Sequence, residues 1–339
     1  MKFNFKLKKD GILELSKIQN KLRPLIFTSK RYLDRVNKEV NSNKAFIDFQ
    51  IIIVNSKNEP EFSYIKQLSS QITINSDIII AVGGGSIIDT AKAAYALQGY
   101  DSDQILFNKN KILISNINQL PDFYVICCVT GSGSEQSSSS VILNSNLKHY
   151  LICSSFVASE VIYSINDIES LPIQIKLSGL GDSLMHIIES LFSKLQDQSS
   201  LTSIKTFALE HFKTNFTKKK LNLSMENLCL YSYIGGLSQD KHLVGPVHVF
   251  AHNTNIKIRH SVAVSSLFSK LYSTDNEIVK FLIPSQKNIF IWFYKNWNKI
   301  FHEIIVDFDL INVDKKSALI DSAGRYSYIN ELIINKFLK

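Results

Sequence analysis

The stretch Ala81–Lys92 reads Ala-Val-Gly-Gly-Gly-Ser-Ile-Ile-Asp-Thr-Ala-Lys, and its reading decides the fold. The apolar run Ile78-Ile79-Ile80-Ala81-Val82 leads into three glycines, and Ala91, Ala93 and Ala94 follow in a helix-like pattern. A buried strand, a turn that glycine makes most easily and a helix start together present backbone N–H groups to a phosphate. Ser86 adds a hydroxyl, and the helix N-terminus adds a partial positive charge. Gly83, Gly84, Gly85 and Ser86 are therefore a candidate phosphate cradle. A tight strand-to-helix turn without a ligand has the same local sequence, so the weight falls on what surrounds it.

Outward from this turn, the first half alternates short β-like runs with helical stretches. Pro24–Thr28, Phe49–Val54, Asp77–Val82 and Tyr124–Val129 are continuous apolar runs, as expected of strands buried on both faces. Met1–Lys9 alternates apolar and basic residues and suits a first strand better than a signal peptide. Arg31–Val40 and Glu61–Ile72 have helical spacing. Tyr124–Val129 runs into a second small-residue loop, Thr130–Ser134, and Ser137–Ser140 reads as a polar loop. Alternating β and α units predict a doubly wound parallel sheet with its ligand at the carboxyl ends of the strands. Beyond Pro172 the spacing is mostly helical apart from a β-branched run, Ile258–Val264. The expected division is residues 1–172 as an α/β domain and residues 173–339 as an all-helical one. The aromatic stretch Phe290–Phe301 is expected to pack as a helix.

At 339 residues the chain suits two domains, and 45% hydrophobic with 20% charged residues excludes a disordered protein. The net charge of +8 is dispersed apart from Lys218-Lys219-Lys220, and no nucleic-acid-binding motif accompanies it. Such a bias equally suits an enzyme of anionic cofactors. The four cysteines, Cys127, Cys128, Cys153 and Cys229, lack metal or disulfide spacing, which points to a reduced, cytoplasmic protein. No apolar run approaches the roughly 18–20 residues of a membrane span.

Two segments of the second half concentrate polar chemistry. In Gly181-Asp-Ser-Leu-Met-His-Ile-Ile-Glu189, Asp182 and His186 lie one helical turn apart. On its own, the stripe Ser178, Asp182, His186 and Glu189 reads as the solvated face of an amphipathic helix. The second segment, Val247-His248-Val249-Phe250-Ala251-His252 with His260 beyond it, shifts that reading. Histidines in an apolar setting need partners, and a metal satisfies several at once. Asp182, His186, His248 and His260 supply one oxygen and three nitrogens, a set suited to ferrous iron or zinc. His252 is left beside the metal for proton transfer.

Taken together, the residues resemble the iron-containing (group III) alcohol dehydrogenases, relatives of dehydroquinate synthase in fold. The resemblance rests on Gly83-Gly84-Gly85-Ser86-x-x-Asp89-x-Ala91-Lys92, Thr130–Glu135, Gly181-Asp182-x-x-x-His186-x-x-Glu189, and His248-x-x-x-His252 with His260. It implies a Rossmann-like N-terminal domain, a helical C-terminal domain and a divalent metal, Fe2+ or Zn2+, in the cleft between them. Gly83, Gly84, Gly85, Ser86 and Asp89 would belong to the cofactor loop, with Ser132 and Lys148 on the nicotinamide side. Asp182, His186, His248 and His260 would bind the metal, and His252 would stand near the nicotinamide. A homodimer acting on a small alcohol, aldehyde or ketone, with a sugar- or polyol-derived intermediate left open as the substrate, and with no nucleic-acid or membrane partner, completes the implied picture.

Several positions depart from the family pattern. Ser261 replaces a usual glycine, the spacing from His248 to His260 is about two residues short, and Cys127-Cys128-Val129 stands where Pro-Thr-Thr is usual. Thr28-Ser29-Lys30-Arg31 occupies a turn that often carries a carboxylate for the adenosine ribose of NAD. Serine flanked by two cations favours a 2′-phosphate, so Ser29 joins the cofactor residues and NADP is expected over NAD. A Ser29 N-cap would leave the same trace. A cyclising lyase of the dehydroquinate synthase type and a degenerate, non-catalytic scaffold are the competing readings.

Overall fold

In a computed structural model the chain is described over residues 4–55, 59–108, 111–114, 117–145, 147–192, 200–217, 224–242, 244–253, 258–272 and 282–306. The Lys218–Lys220 cluster lies outside these residues. The chain forms two compact units, one of Met1–Thr130 with Ser134–Leu171 and one of Gly131–Gly133 with Pro172–Lys339.

The first unit is built on a six-stranded sheet whose neighbouring strands all pair in parallel. Its strands are β1 (Lys6–Lys8), β2 (Pro24–Thr28), β3 (Gln50–Ile53), β4 (Ile78–Gly83), β7 (Asp122–Cys127) and β10 (Glu160–Ser164). They lie in the order β1-β10-β7-β4-β2-β3. Every residue of β2 and β4 is buried, which is why those runs carry no polar alternation. Helices α1 (Leu33–Ser42), α2 (Phe62–Ser70) and α3 (Gly85–Ala96) make the crossovers that parallel strands require.

A second, four-stranded sheet was not expected. It comprises β5 (Ile105–Asn108), β6 (Lys111–Ile114), β8 (Ser139–Asn144) and β9 (Leu147–Ile152), in the order β5-β6-β9-β8. Part of the supposed polar loop is therefore strand, because Ser139 and Ser140 open β8. What holds them is buried Lys92 of α3. Its Nζ donates to the carbonyls of Ser134, Ser137 and Ser139 at 2.6, 2.8 and 3.1 Å, which compensates an otherwise costly buried ammonium. Ser140 Oγ also donates to the Asp89 carbonyl at 2.9 Å.

The second unit contains, after the short helix α4 (Ile165–Glu169) that closes the first, helices α5 (Ile173–Ser190), α6 (Ser200–Thr217), α7 (Met225–His242), α8 (Pro246–His252), α9 (His260–Leu271) and α10 (Pro284–Phe301). The β-branched run at 258–264 does not form a strand; from His260 it is the first turn of α9. Helix α5 lies at the centre, and small residues let its neighbours approach. A Cβ on Gly235 of α7 would stand 2.9 Å from the Ser183 carbonyl oxygen, and one on Gly181 would stand 2.3 Å from Ser265 Oγ of α9. Gly131 has φ +129° and its Cβ position lies 2.5 Å from the Cα of Gly179, so only glycine fits. The aromatic stretch packs as a helix: the Trp297 ring of α10 lies tilted against Phe268 and Phe301 and donates from Nε1 to the Ser265 carbonyl at 2.8 Å.

Candidate metal centre and nucleotide turn

The glycine turn closes β4 and opens α3. Gly84 is the N-cap, and no side chain caps the helix there, which leaves the amide end of α3 to be met by something other than its own side chains. Gly83 has φ +157°, and a Cβ there would meet Ile87 Cδ1 at 2.3 Å, so any other residue would oblige that side chain to shift. Sheet register pairs Thr28 with Val82, and this sets the Ser29 turn beside the glycine turn, both at carboxyl ends of strands. Helix α1 begins at Leu33 with Tyr32 at its N-cap, so Ser29 is not the cap of that helix. Lys30 and Arg31 are exposed, and Arg31 also donates to Ser170 Oγ at 3.1 Å.

Other cofactor candidates have different surroundings. Asp89 is buried and faces β8, where its Oδ2 accepts from the Val141 amide at 3.3 Å. Burial pushes its carboxyl up to about 6, against the pull of Lys92 and of donors from Val141 and Ser134. Lys148, on β9, is ion-paired with Glu59 at 2.6 Å. Ser132 lies in the segment that belongs to the helical unit, and its carbonyl accepts from Gln239 Nε2 at 2.7 Å.

The helical unit brings the metal candidates together. Asp182, His248 and His260 each offer a ligand atom, and these atoms all lie within 4.8 Å of one another. They come from α5, α8 and α9. From Asp182 Oδ1 the distances to Nε2 are 3.4 Å for His248, 3.8 Å for His260 and 3.9 Å for His186. His186, one turn along α5, is not part of that trio; its ring stacks on that of His248 with centroids 4.4 Å apart. The stripe that resembled a solvated face is buried throughout, with Asp182 4% and His186 3% exposed. Among the described residues, Asp182 Oδ1 and His248 Nε2 have no hydrogen-bond partner despite full burial. Two buried polar atoms left unpaired at one point carry a desolvation cost that a shared cation would relieve. The donor chemistry therefore fits a divalent iron or zinc.

The electrostatics agree with a cation locus. Burial drives His186 down to about 3, helped by His248 and His260, so it is neutral and ligand-ready. Burial opposes a charge on His248 too, but Asp182 and Glu189 outweigh it and push that imidazole up to about 9. His252 stands at the edge, half-buried, its ring edge-on to His260 with centroids 4.4 Å apart.

Glu189 was not assigned a role from the sequence. It is 2% exposed, and its carboxylate takes hydrogen bonds from the Gly245 and Val247 amides, His248 Nδ1 and Tyr272 Oη. Its only sequence signal was its place three residues beyond His186 on one helical stripe.

A family model described as iron-containing alcohol dehydrogenase matches residues 7–164. Over those residues, a little under half of the chain, the sequence is similar to the iron-containing alcohol dehydrogenases. Its similarity to curated relatives is partial. It is 31% identical over 139 residues to a probable NADH-dependent butanol dehydrogenase of Bacillus subtilis, covering 38% of this chain and 34% of that protein. It is 25% identical over 186 residues to an NADPH-dependent butanol dehydrogenase of Clostridium saccharobutylicum, covering 52% and 47%. The chain thus matches less than half the length of these relatives. The fold likeness is complete: the iron-containing alcohol dehydrogenase of Thermococcus thioreducens superposes with a TM-score of 0.78 at 18% identity, over 100% of this chain and 98% of that one. The α/β unit followed by a helical unit is the fold of the iron-containing alcohol dehydrogenases.

Proposed function

We propose that this protein is a metal-dependent oxidoreductase that moves a hydride between NADP(H) and an alcohol or its aldehyde or ketone. The observation that carries the reading is the convergence of Asp182, His248 and His260 from three helices, with buried, unpartnered atoms at the point of convergence. When bound, a ferrous or zinc ion supplies Lewis acidity toward the substrate oxygen, and the nicotinamide supplies the hydride acceptor or donor. Asp182 would bring the anionic oxygen and His186, His248 and His260 the ring nitrogens that hold such an ion, with His248 giving up a proton as the ion binds. His252, adjacent to His260 and partly open to solvent, takes the proton on its imidazole and passes it outward. Gly83, Gly84, Gly85 and Ser86 orient the pyrophosphate at the α3 N-terminus. Ser29, Lys30 and Arg31 receive the 2′-phosphate, since no carboxylate stands in that turn to repel it.

Elemental analysis of the purified protein, followed by turnover assays with NADPH and a panel of short aldehydes, tests the reading. The expected result is about one iron or zinc per chain and aldehyde-dependent NADPH oxidation. A protein that takes up neither metal after anaerobic reconstitution is a scaffold, and the proposal falls.

A further inference from the structure

We infer that Glu189 is a positioning residue that fixes the His248 ring for cation binding, an inference that rests on the oxidoreductase reading above. This buried carboxylate accepts on both oxygens. Oε1 takes the Val247 amide at 2.7 Å and Tyr272 Oη at 2.8 Å. Oε2 takes the Gly245 amide at 2.8 Å, His248 Nδ1 at 2.6 Å and, at a longer 3.4 Å, the His248 amide. Donors on every side suit an ionised carboxylate, which is acceptor-only. The chain before α8 is shaped around it: a Cβ on Gly245 would lie 2.7 Å from Glu189 Cδ.

The consequence is carried to the far side of the imidazole. With Nδ1 donating to Glu189, the Nε2 lone pair is the one left for a ligand, and it faces Asp182 Oδ1 at 3.4 Å. Glu189 and Asp182 sit seven residues apart on α5, so one helix sets both the anionic ligand and the tautomer of a histidine from α8. Such a carboxylate behind a ligating imidazole orients the ring and raises its basicity. A glutamine would keep the shape but turn an amide N–H2 toward two donors, freeing the His248 ring to rotate or change tautomer.

The test measures Zn2+ affinity of the full chain by competition with a chromogenic chelator, and the visible spectrum of the Co2+-loaded protein. Glu189→Gln is expected to weaken Zn2+ binding by about 10–100-fold and to shift the Co2+ ligand-field bands. Tyr272→Phe removes a donor from the other oxygen without touching the His248 ring. It is expected to lower the melting temperature while leaving Zn2+ affinity and Co2+ bands near wild type. Glu189→Asp, which keeps the charge but is one methylene short, is expected to fall between and stands in if the glutamine variant does not fold. Wild-type affinity and bands in the Glu189 variants overturn the inference alone. So does a loss of Zn2+ in Tyr272→Phe as large as in Glu189→Gln. A wild-type chain that binds neither Zn2+ nor Co2+ overturns the oxidoreductase reading itself.

Discussion

Asp182 and His248 are each buried beside the other with an atom that finds no hydrogen-bond partner among the described residues. Removing either would strip the proposed centre of a ligand. Asp182→Ala and His248→Ala are each expected to take metal content from about one per chain to near zero, read by plasma emission spectrometry. His252→Ala, one shell further out, is expected to retain the metal and lose turnover. Retention of metal in the first two variants would exclude this ligand set. Cofactor choice is argued at the same scale. Exchanging exposed Lys30 for glutamate places a carboxylate where a 2′-phosphate would lie. The ratio of kcat/KM for NADPH to that for NADH is expected to fall about tenfold or more, the size of one charged contact. The four candidate ligands stand out in the sequence by type and spacing, because Asp182 and His186 share a helical face, His248 shares one with His252, and His260 follows close behind. Glu189 was not legible as anything beyond a polar residue on that face. Its partners, Gly245 and Tyr272, are 56 and 83 positions away, and no local pattern encodes them.

Helix α5 holds its chemistry at the centre of the helical unit because small residues let α7 and α9 close on it. Gly235→Ala adds a methyl 2.9 Å from a backbone oxygen that cannot move aside. The expected cost is about 1–3 kcal/mol, measured by denaturant unfolding, with metal affinity falling as α5 shifts. A methyl accommodated without loss would show that the packing is looser than these distances require. The strands of the six-stranded sheet were legible as continuous apolar runs, since burial on both faces leaves no room for polar residues. The four-stranded sheet was not. Its strands expose Leu106, Leu113, Leu147 and Ile152 and begin one strand with serines, so neither alternation nor continuity marks them. The start of β8 is held by Lys92, whose contacts at Ser134, Ser137 and Ser139 are more than forty residues distant.

For the molecule as a whole, stability should carry the signature of Asp89. Its carboxyl is pushed from 3.8 up to about 6 in the folded state. A raised carboxyl favours folding fully below the unfolded value and loses that contribution as pH rises through the folded one. Above pH 7 the buried charge therefore opposes folding. Asp89→Asn, which keeps an acceptor for Val141, is expected to stabilise the protein at pH 8 by about 2–3 kcal/mol. The advantage should vanish below about pH 4. Guanidinium unfolding across that range checks it, and a variant advantage independent of pH would refute it. Among the described residues no helix is long and apolar enough to cross a membrane, and the four cysteines are buried free thiols.

The short segment Gly131–Gly133 belongs to the helical unit although its flanking residues belong to the other. It lies against Gly179 and Gly236, takes Ser232 Oγ as acceptor for the Gly131 amide, and offers the Ser132 carbonyl to Gln239. A recombinant fragment starting at Pro172 would thus be missing a tile from its own interior. Grooves cut for glycine would stand open over α5 and α7, and Ser183, Ser232 and Gln239 would each lose a hydrogen-bond partner. Dissecting this protein into independently expressed halves calls for a graft, with residues 131–133 returned on a tether, and a simple cut will not serve.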